Sequence, residues 1–138
     1  MKACTEKDRD LIAAARNLLT TRYRADRQEI GAALRTSSGK LFCAVNLDTR
    51  VGRTAVCAEA VAVGMAIAAG DAAIEAIVAV NREGDVVSPC GACREMLADY
   101  APAGRIIVPG NGAPEVVRTL DLLPRRYRKD GRLEPIAG

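Results

Sequence analysis

Two short segments constrain this chain more than anything else in it: Cys57-Ala58-Glu59 and Pro89-Cys90-Gly91-Ala92-Cys93, in a sequence that contains no histidine. Any fold that uses their chemistry must bring them to one point. Three thiols, two of them at Cys-x-x-Cys spacing, form a soft donor set suited to zinc. A closed structural zinc site takes four protein ligands, whereas a hydrolytic site keeps one position open for water and needs a nearby group to move protons. Cys57, Cys90 and Cys93 therefore read as the ligands of a catalytic Zn2+, with Glu59 beside the open position as the proton carrier. With no imidazole, a carboxylate, tyrosine, lysine or cysteine must do that work, and Glu59 is the carboxylate tied by position to the thiols.

Blander readings stay open at this point. A structural zinc would need Cys4, Cys43 or a carboxylate as fourth ligand, and a lone Cys-x-x-Cys also occurs in thioredoxin-like redox sites. Glu59 could be an ordinary salt-bridged residue. Its helix is otherwise apolar, however, and burying an unpartnered carboxylate costs on the order of several kcal/mol.

At 138 residues the chain is expected to form a single domain over 1–138, with 125–138 as a basic C-terminal tail. It is 49% hydrophobic but only 3% aromatic, so the core must be built from Ala, Val, Ile and Leu. A net charge of +3 is too mild to name a partner, and the absence of a basic stripe outside the tail argues against polynucleotide. No apolar run approaches the roughly 18 residues of a membrane span, and the N-terminus lacks a signal-peptide core. A cytoplasmic protein is expected. Five cysteines is an odd count, so Cys4 and Cys43 are read as unpaired thiols, Cys43 as a small core residue.

Thr5 with Asp8 resembles a capping box, and Leu11, Ile12, Ala15, Leu18 and Leu19 then recur at helical spacing. Residues 30–34 and 41–47 are apolar runs around Ser37-Ser38-Gly39-Lys40, the signature of a β-hairpin. Residues 55–69 are apolar on every side except at Glu59, which predicts a helix buried within the protein and ended by Gly70. Residues 74–80 read as a buried strand and 81–85 as a turn. Cys93, Met96, Leu97 and Tyr100 then share one face of a helix that starts near Cys90. Residues 105–108 are a further strand, with Val116-Val117 as a short one. Both ligand segments thus sit at helix N-termini, where free N–H groups stabilise thiolates, with Arg94 as an added cation.

Cys57-Ala58-Glu59 with Pro89-Cys90-Gly91-Ala92-Cys93-Arg94 resembles the zinc nucleoside deaminases in their three-cysteine form. The likeness to the small cytidine deaminase family covers most of the chain: Ile30-Gly31-Ala32-Ala33-Leu34 is similar to its first strand and Asn46 to its sugar-binding position. Within the family it is nearest to the blasticidin-S deaminase branch, through residues 57–64, 88–94 and Leu122-Leu123-Pro124-Arg125-Arg126-Tyr127. The resemblance implies a three-layer α/β/α domain around a mixed sheet of about five strands. It implies hydrolytic deamination of a cytosine-containing nucleoside or nucleoside antibiotic, cytidine, deoxycytidine or a blasticidin S-like compound, to the uracil derivative and ammonia. Activated water would attack C4 while Glu59 protonates N3 and then the departing amine. The Ala58 N–H would meet the base carbonyl, the Ser88 C=O the exocyclic amine, and Asn46 the sugar. A homotetramer with shared sites is also implied.

Two departures bear on the substrate. Gln28 stands where nucleoside-specific members carry an aromatic ring, and Asn46-Leu47-Asp48 replaces their Asn-x-Glu, with a carboxylate one methylene shorter. A modified sugar, a sugar-acid conjugate of cytosine or another aminated base fits this drift. Arg125, Arg126, Arg128, Lys129 and Arg132 surround Tyr127 as a solvated tail or, alternatively, as a lid over a neighbouring subunit's site. Polynucleotide deaminases typically carry His where Cys57 stands, which argues against that substrate. A non-catalytic, zinc-stapled binding module is the alternative from another class.

Overall fold

A computed structural model describes residues 2–129. The helices are α1 (Glu6–Arg22), α2 (Ala58–Ala68) and α3 (Gly91–Tyr100). The strands are β1 (Lys2–Ala3), β2 (Gly31–Thr36), β3 (Leu41–Val45), β4 (Ile74–Val80), β5 (Val86–Val87), β6 (Arg105–Val108) and β7 (Glu115–Arg118). They form one sheet in the order β1-β7-β6-β4-β2-β3, with β5 also on β4. Only β4 and β6 run parallel; the other pairs are antiparallel, so the sheet is mixed.

Alternation along the strands divides the core in two. Leu34, Ile77 and Ile106 face α2 and α3, packing with Ala62, Val63, Ala66 and Leu97. Their neighbours Ala33, Val78 and Ile107 face α1 and pack with Leu11, Ile12, Ala15 and Leu19. The expected three-layer arrangement follows. α1 lies so close on β2 that a Cβ added at Gly31 would come 2.8 Å from the Ala15 carbonyl oxygen, and only glycine fits there.

The capping box is present: the Thr5 hydroxyl accepts from the Asp8 amide at 3.2 Å, and an Asp8 carboxylate oxygen accepts from the Thr5 amide at 3.0 Å. The hairpin pairs β2 with β3 as expected, and Gly70, at φ 73°, ends α2 in the left-handed conformation.

Four expectations need correction. The sheet has seven strands where about five were expected, because β1 and β5 are two-residue pairings on β7 and β4 that leave no periodic trace. The helix expected over 55–69 starts at Ala58, because Val56 is held extended by two 2.9 Å backbone bonds to Leu47. Nor is α2 buried all round. Ala58, Glu59, Ala62, Val63 and Ala66 face inward, while Met65 and Ile67 are each 42% exposed. The tail expected to be solvated also departs in part: Arg126 is buried and ion-paired with Asp99 of α3. Residues 130–138 of that tail, with Arg132, lie outside the described residues.

At the edge of α1, the buried Arg35 guanidinium sits 3.3 Å from both Asp8 and Glu75, and Arg105 joins Glu75 at 3.3 Å. Burial alone would raise the Asp8 pKa, but the Thr5 amide and hydroxyl and Arg35 outweigh it and hold the carboxyl below its usual range. A depressed folded-state pKa stabilises at pH values above the unfolded one and ceases to do so as pH falls through the folded value. Asp8→Ala should therefore lower unfolding free energy by about 2–3 kcal/mol at neutral pH, since it removes a cap and leaves Arg35 short of a partner. Denaturant titration should show that gap narrowing as pH drops below the usual carboxylate range. A gap constant with pH would mean that the charge of Asp8 contributes nothing.

Candidate active site and metal centre

The first thiol and the second occupy equivalent places: Cys57 is the N-cap of α2 and Cys90 the N-cap of α3, both extended in backbone. Two helices on the same face of the sheet thus aim their amide-rich ends at one spot. Cys93, one turn into α3, is buried and faces the same point. The Cys57 and Cys90 sulfurs are 3.6 Å apart, and the three sulfurs all lie within 4.8 Å of one another. They are the one cluster of three or more metal-ligating side chains among the described residues.

The donor set fits a cation. Burial pushes the Cys57 thiol up, and the neighbouring Cys90 adds to it; burial, followed by the Glu59 carboxylate, pushes Cys93 up strongly. Burial would raise Cys90 too, but the amides of Cys93 and Ala92 and the Cys57 thiol hold it below its usual value. Three such sulfurs cannot all ionise side by side without a positive ion between them, and Zn2+ supplies that charge.

Glu59 is 5% exposed and has no lysine or arginine partner among the described residues. Burial raises its pKa, against weaker opposing contributions from its own amide and from Cys93. A buried carboxyl with a raised pKa, next to a cysteine cluster, is suited to take and return a proton.

A cavity of about 360 Å³ opens over these groups. Ile30, Leu47, Ala55, Val56 and Val87 give it apolar walls; Asn46, Cys57, Ala58, Glu59, Ser88 and Cys90 supply the polar positions. A larger groove, about 560 Å³, lies between α1 and residues 81–84, but it holds no thiol, and its carboxylate, Glu83, is paired with Arg82. The smaller cavity is where the chemistry sits. Ala58 opens α2, so its N–H has no acceptor within the helix.

Of the residues singled out from sequence, Cys57, Cys90, Cys93, Glu59, Ala58, Ser88 and Asn46 converge here. Three others do not line the cavity. Gln28 is half-buried in a loop closed by paired backbone bonds to Arg24, Asp48 is exposed and accepts from the Thr49 amide, and Tyr127 is 78% exposed. Sequence reading missed the wall residues Ala55, Val56 and Val87, which lack chemistry of their own. It also missed the role of Arg94, which donates to the Pro89 carbonyl at 3.0 Å and the Leu122 carbonyl at 3.5 Å, tying the turn before Cys90 to the following segment.

Residues 5–108 match the family model of the cytidine and deoxycytidylate deaminase zinc-binding region. The chain belongs to this family. As such it is a zinc-dependent hydrolase, a deaminase of the cytidine type. It is 35% identical over 134 residues to blasticidin-S deaminase of Bacillus cereus, covering 91% of this chain and 96% of the relative. It is 32% identical over 103 residues to cytidine deaminase of Halalkalibacterium halodurans, covering 73% of this chain and 78% of that one. Among solved structures it resembles cytidine deaminase from Mycobacterium leprae, with TM-score 0.75 and 28% identity over 84% of this chain and 96% of that one. The Burkholderia pseudomallei cytidine deaminase gives TM-score 0.74 and 29% identity over 90% and 100%.

Purified protein should carry about one zinc per chain, and Cys57→Ser or Cys90→Ser should each reduce this to a small fraction, because a three-sulfur site loses a ligand it cannot replace. Elemental analysis reads the result. Full zinc in both variants would place the ion elsewhere.

Proposed function

We propose that the chain deaminates a cytosine-containing nucleoside or nucleoside antibiotic, with Cys57, Cys90 and Cys93 holding zinc and Glu59 carrying the protons. The observation that supports this most is the buried, unpaired Glu59 carboxyl at the wall shared with the three sulfurs. Zinc, when bound, supplies a Lewis acid that makes water a nucleophile near neutral pH.

The rest falls to the protein. Glu59 takes a proton from the attacking water and delivers it to the ring nitrogen, N3; it then carries the remaining proton of the new C4 hydroxyl to the amine, so that the C4–N bond breaks, ammonia leaves and C4 becomes a carbonyl. The raised affinity of a buried carboxyl for protons suits both directions of transfer. The unbonded Ala58 N–H at the start of α2 is placed to donate to the base carbonyl, and the Ser88 carbonyl to accept from the amine. The apolar walls hold the ring flat and keep bulk water from the reacting carbon.

The nucleoside need not be a plain one in this reading: Gln28 offers no ring for stacking, and cytosine joined to a modified or acidic sugar fits as well as cytidine. Gln28, Asp48 and Tyr127 are proposed to meet the sugar side of the substrate, Tyr127 from a neighbouring copy. Self-association is supported by the outer side of α2, where Ala60, Gly64, Ile67 and Ala68 with Met96 and Tyr100 of α3 line an apolar hollow of about 380 Å³. A homotetramer would cover it. No helix among the described residues is long and apolar enough to cross a membrane, and five unpaired thiols support a reducing, cytoplasmic setting. The single-domain reading of 1–138 with its basic tail is proposed on the same footing.

Offering cytidine, deoxycytidine and blasticidin S in turn to zinc-loaded protein should give a fall in ultraviolet absorbance and release of ammonia from at least one. No ammonia from any aminopyrimidine or aminopurine would sink the reading. Glu59→Gln should lower kcat by about a thousandfold, within the span typical of a lost acid–base group, while zinc content stays at the parent level. Unchanged turnover would leave a zinc-stapled binding module as the better description. Sedimentation at micromolar concentration should show a tetramer, and a monomer throughout would remove the shared-site proposal.

A further inference from the structure

Asn46 sits on the cavity wall, yet its amide is largely engaged with the protein itself. Oδ1 accepts from the Glu29 amide at 2.9 Å and from the Ile30 amide at 3.0 Å, and Nδ2 donates to the Arg27 carbonyl at 3.1 Å. Its backbone N–H donates to the Ile30 carbonyl at 3.2 Å, and the Asp48 N–H meets the same Arg27 carbonyl at 3.1 Å. With the Arg27 guanidinium donating to the Asp48 carbonyl at 3.5 Å, residues 27–30 are thus fastened to 46–48 by six bonds, three of them from the Asn46 side chain.

The placement explains the need. Regular pairing of β2 with β3 stops at Gly31 opposite Val45, so the amides of Glu29 and Ile30 have no ladder partner. Part-buried amides left unmet are costly, and the Asn46 side chain extends the ladder by standing in for backbone. Both lone pairs of its oxygen are spent this way. A substrate can receive one N–H from it and no acceptor. Ile30, at the end of the fastened segment, is itself part of the cavity wall.

We infer that Asn46 is a positioning residue, which sets substrate affinity chiefly by fastening residues 27–30 and so holding Ile30 in the cavity wall, and only secondarily by touching the sugar. The kinetic side of this rests on the deaminase reading; the structural side does not depend on any substrate.

Two measurements test it. Amide hydrogen exchange on the zinc-loaded protein without substrate should show Glu29 and Ile30 exchanging at least about tenfold faster in Asn46→Ala than in the parent, the loss expected for bonds of this kind. With cytidine as substrate and 1-methylcytosine as a sugar-free competitor, Asn46→Ala should raise the KM of the first and the inhibition constant of the second by similar factors, with kcat within about threefold. Asn46→Asp keeps the acceptor and removes the donor, and guards against a truncated variant that does not fold. It should keep Glu29 and Ile30 slow, and whatever it loses by giving up the bond to the Arg27 carbonyl should weaken cytidine and 1-methylcytosine by the same factor. Unchanged exchange in Asn46→Ala, a penalty confined to cytidine, or an Asn46→Asp variant with slow amides that weakens cytidine but not 1-methylcytosine would each overturn the inference in favour of direct sugar contact. Fast exchange in a protein that releases no ammonia would leave the wall-holding role standing and the deaminase reading fallen.

Discussion

The meeting of two helix N-termini at one point is the constraint on which the rest of this structure depends. Cys57 and Cys90 each cap a helix, and a cap residue lies where three or four backbone N–H groups have no partner. Delivering two such ends to within 3.6 Å, sulfur to sulfur, fixes where α2 and α3 sit on the sheet. The layer beneath them answers that demand with small side chains. Ala62 and Ala66 are fully buried on the inner side of α2, and on the facing side of β2 Ala32 has no exposure at all. Larger residues on α2 would lift it from the sheet and pull Cys57 away from Cys90 and Cys93. The near absence of aromatic residues is thus a condition of the site's geometry as well as a feature of the core.

The parts of this arrangement that sequence revealed are those governed by local rules or by chemistry at fixed spacing. Thr5 and Asp8 form the capping box that their spacing suggests, the apolar run 74–80 is a buried strand end to end, and Gly70 stops α2. Cys57, Glu59, Cys90 and Cys93 come together as their residue types require. What stayed hidden depends on partners distant in the chain. β1 exists because Lys2 and Ala3 find Val116 and Glu115, and no pattern in two residues can announce that. Val56 looks helical in an apolar run, but a reciprocal bridge to Leu47 takes its backbone. A helix apolar except at Glu59 reads as buried; here its outer side is instead partly exposed, at Met65 and Ile67.

Charge is treated oppositely at two places in the molecule. Around Arg35, every buried ion has an answer: Asp8 on one side, Glu75 on the other, and the Lys7 carbonyl at 3.1 Å. Such a network holds α1 to the sheet because each desolvated charge is compensated. Glu59 has none of this. It is equally buried, its helix brings no cation, and its nearest titrating neighbour is a cysteine whose own proton affinity it raises. Glu59 lacks any such cation among the described residues, and burial raises its affinity for a proton against weaker opposing contributions from its own amide and from Cys93, which in the proposed reading suits it to bind a proton and give it up.

That contrast bears on how the cavity selects what enters. Its apolar walls accept any flat ring of suitable size and discriminate weakly, as apolar contact does. Sharp discrimination must come from polar groups that are costly to leave unmet, and the proposed reading assigns that work to the Ala58 amide, the Ser88 carbonyl and the Glu59 carboxyl, whose residues line the cavity together with Cys57 and Cys90. Asn46 has spent most of its hydrogen-bonding capacity on the Glu29 and Ile30 amides and the Arg27 carbonyl, and Asp48, outside the cavity, accepts from Thr49. In the proposed reading, recognition is therefore concentrated on the base and is looser toward whatever the base is attached to. A cavity so divided would tolerate change in the sugar portion while holding the amine-bearing ring in one orientation, because strict reading of the ring and lax reading of its substituent would arise from different residues.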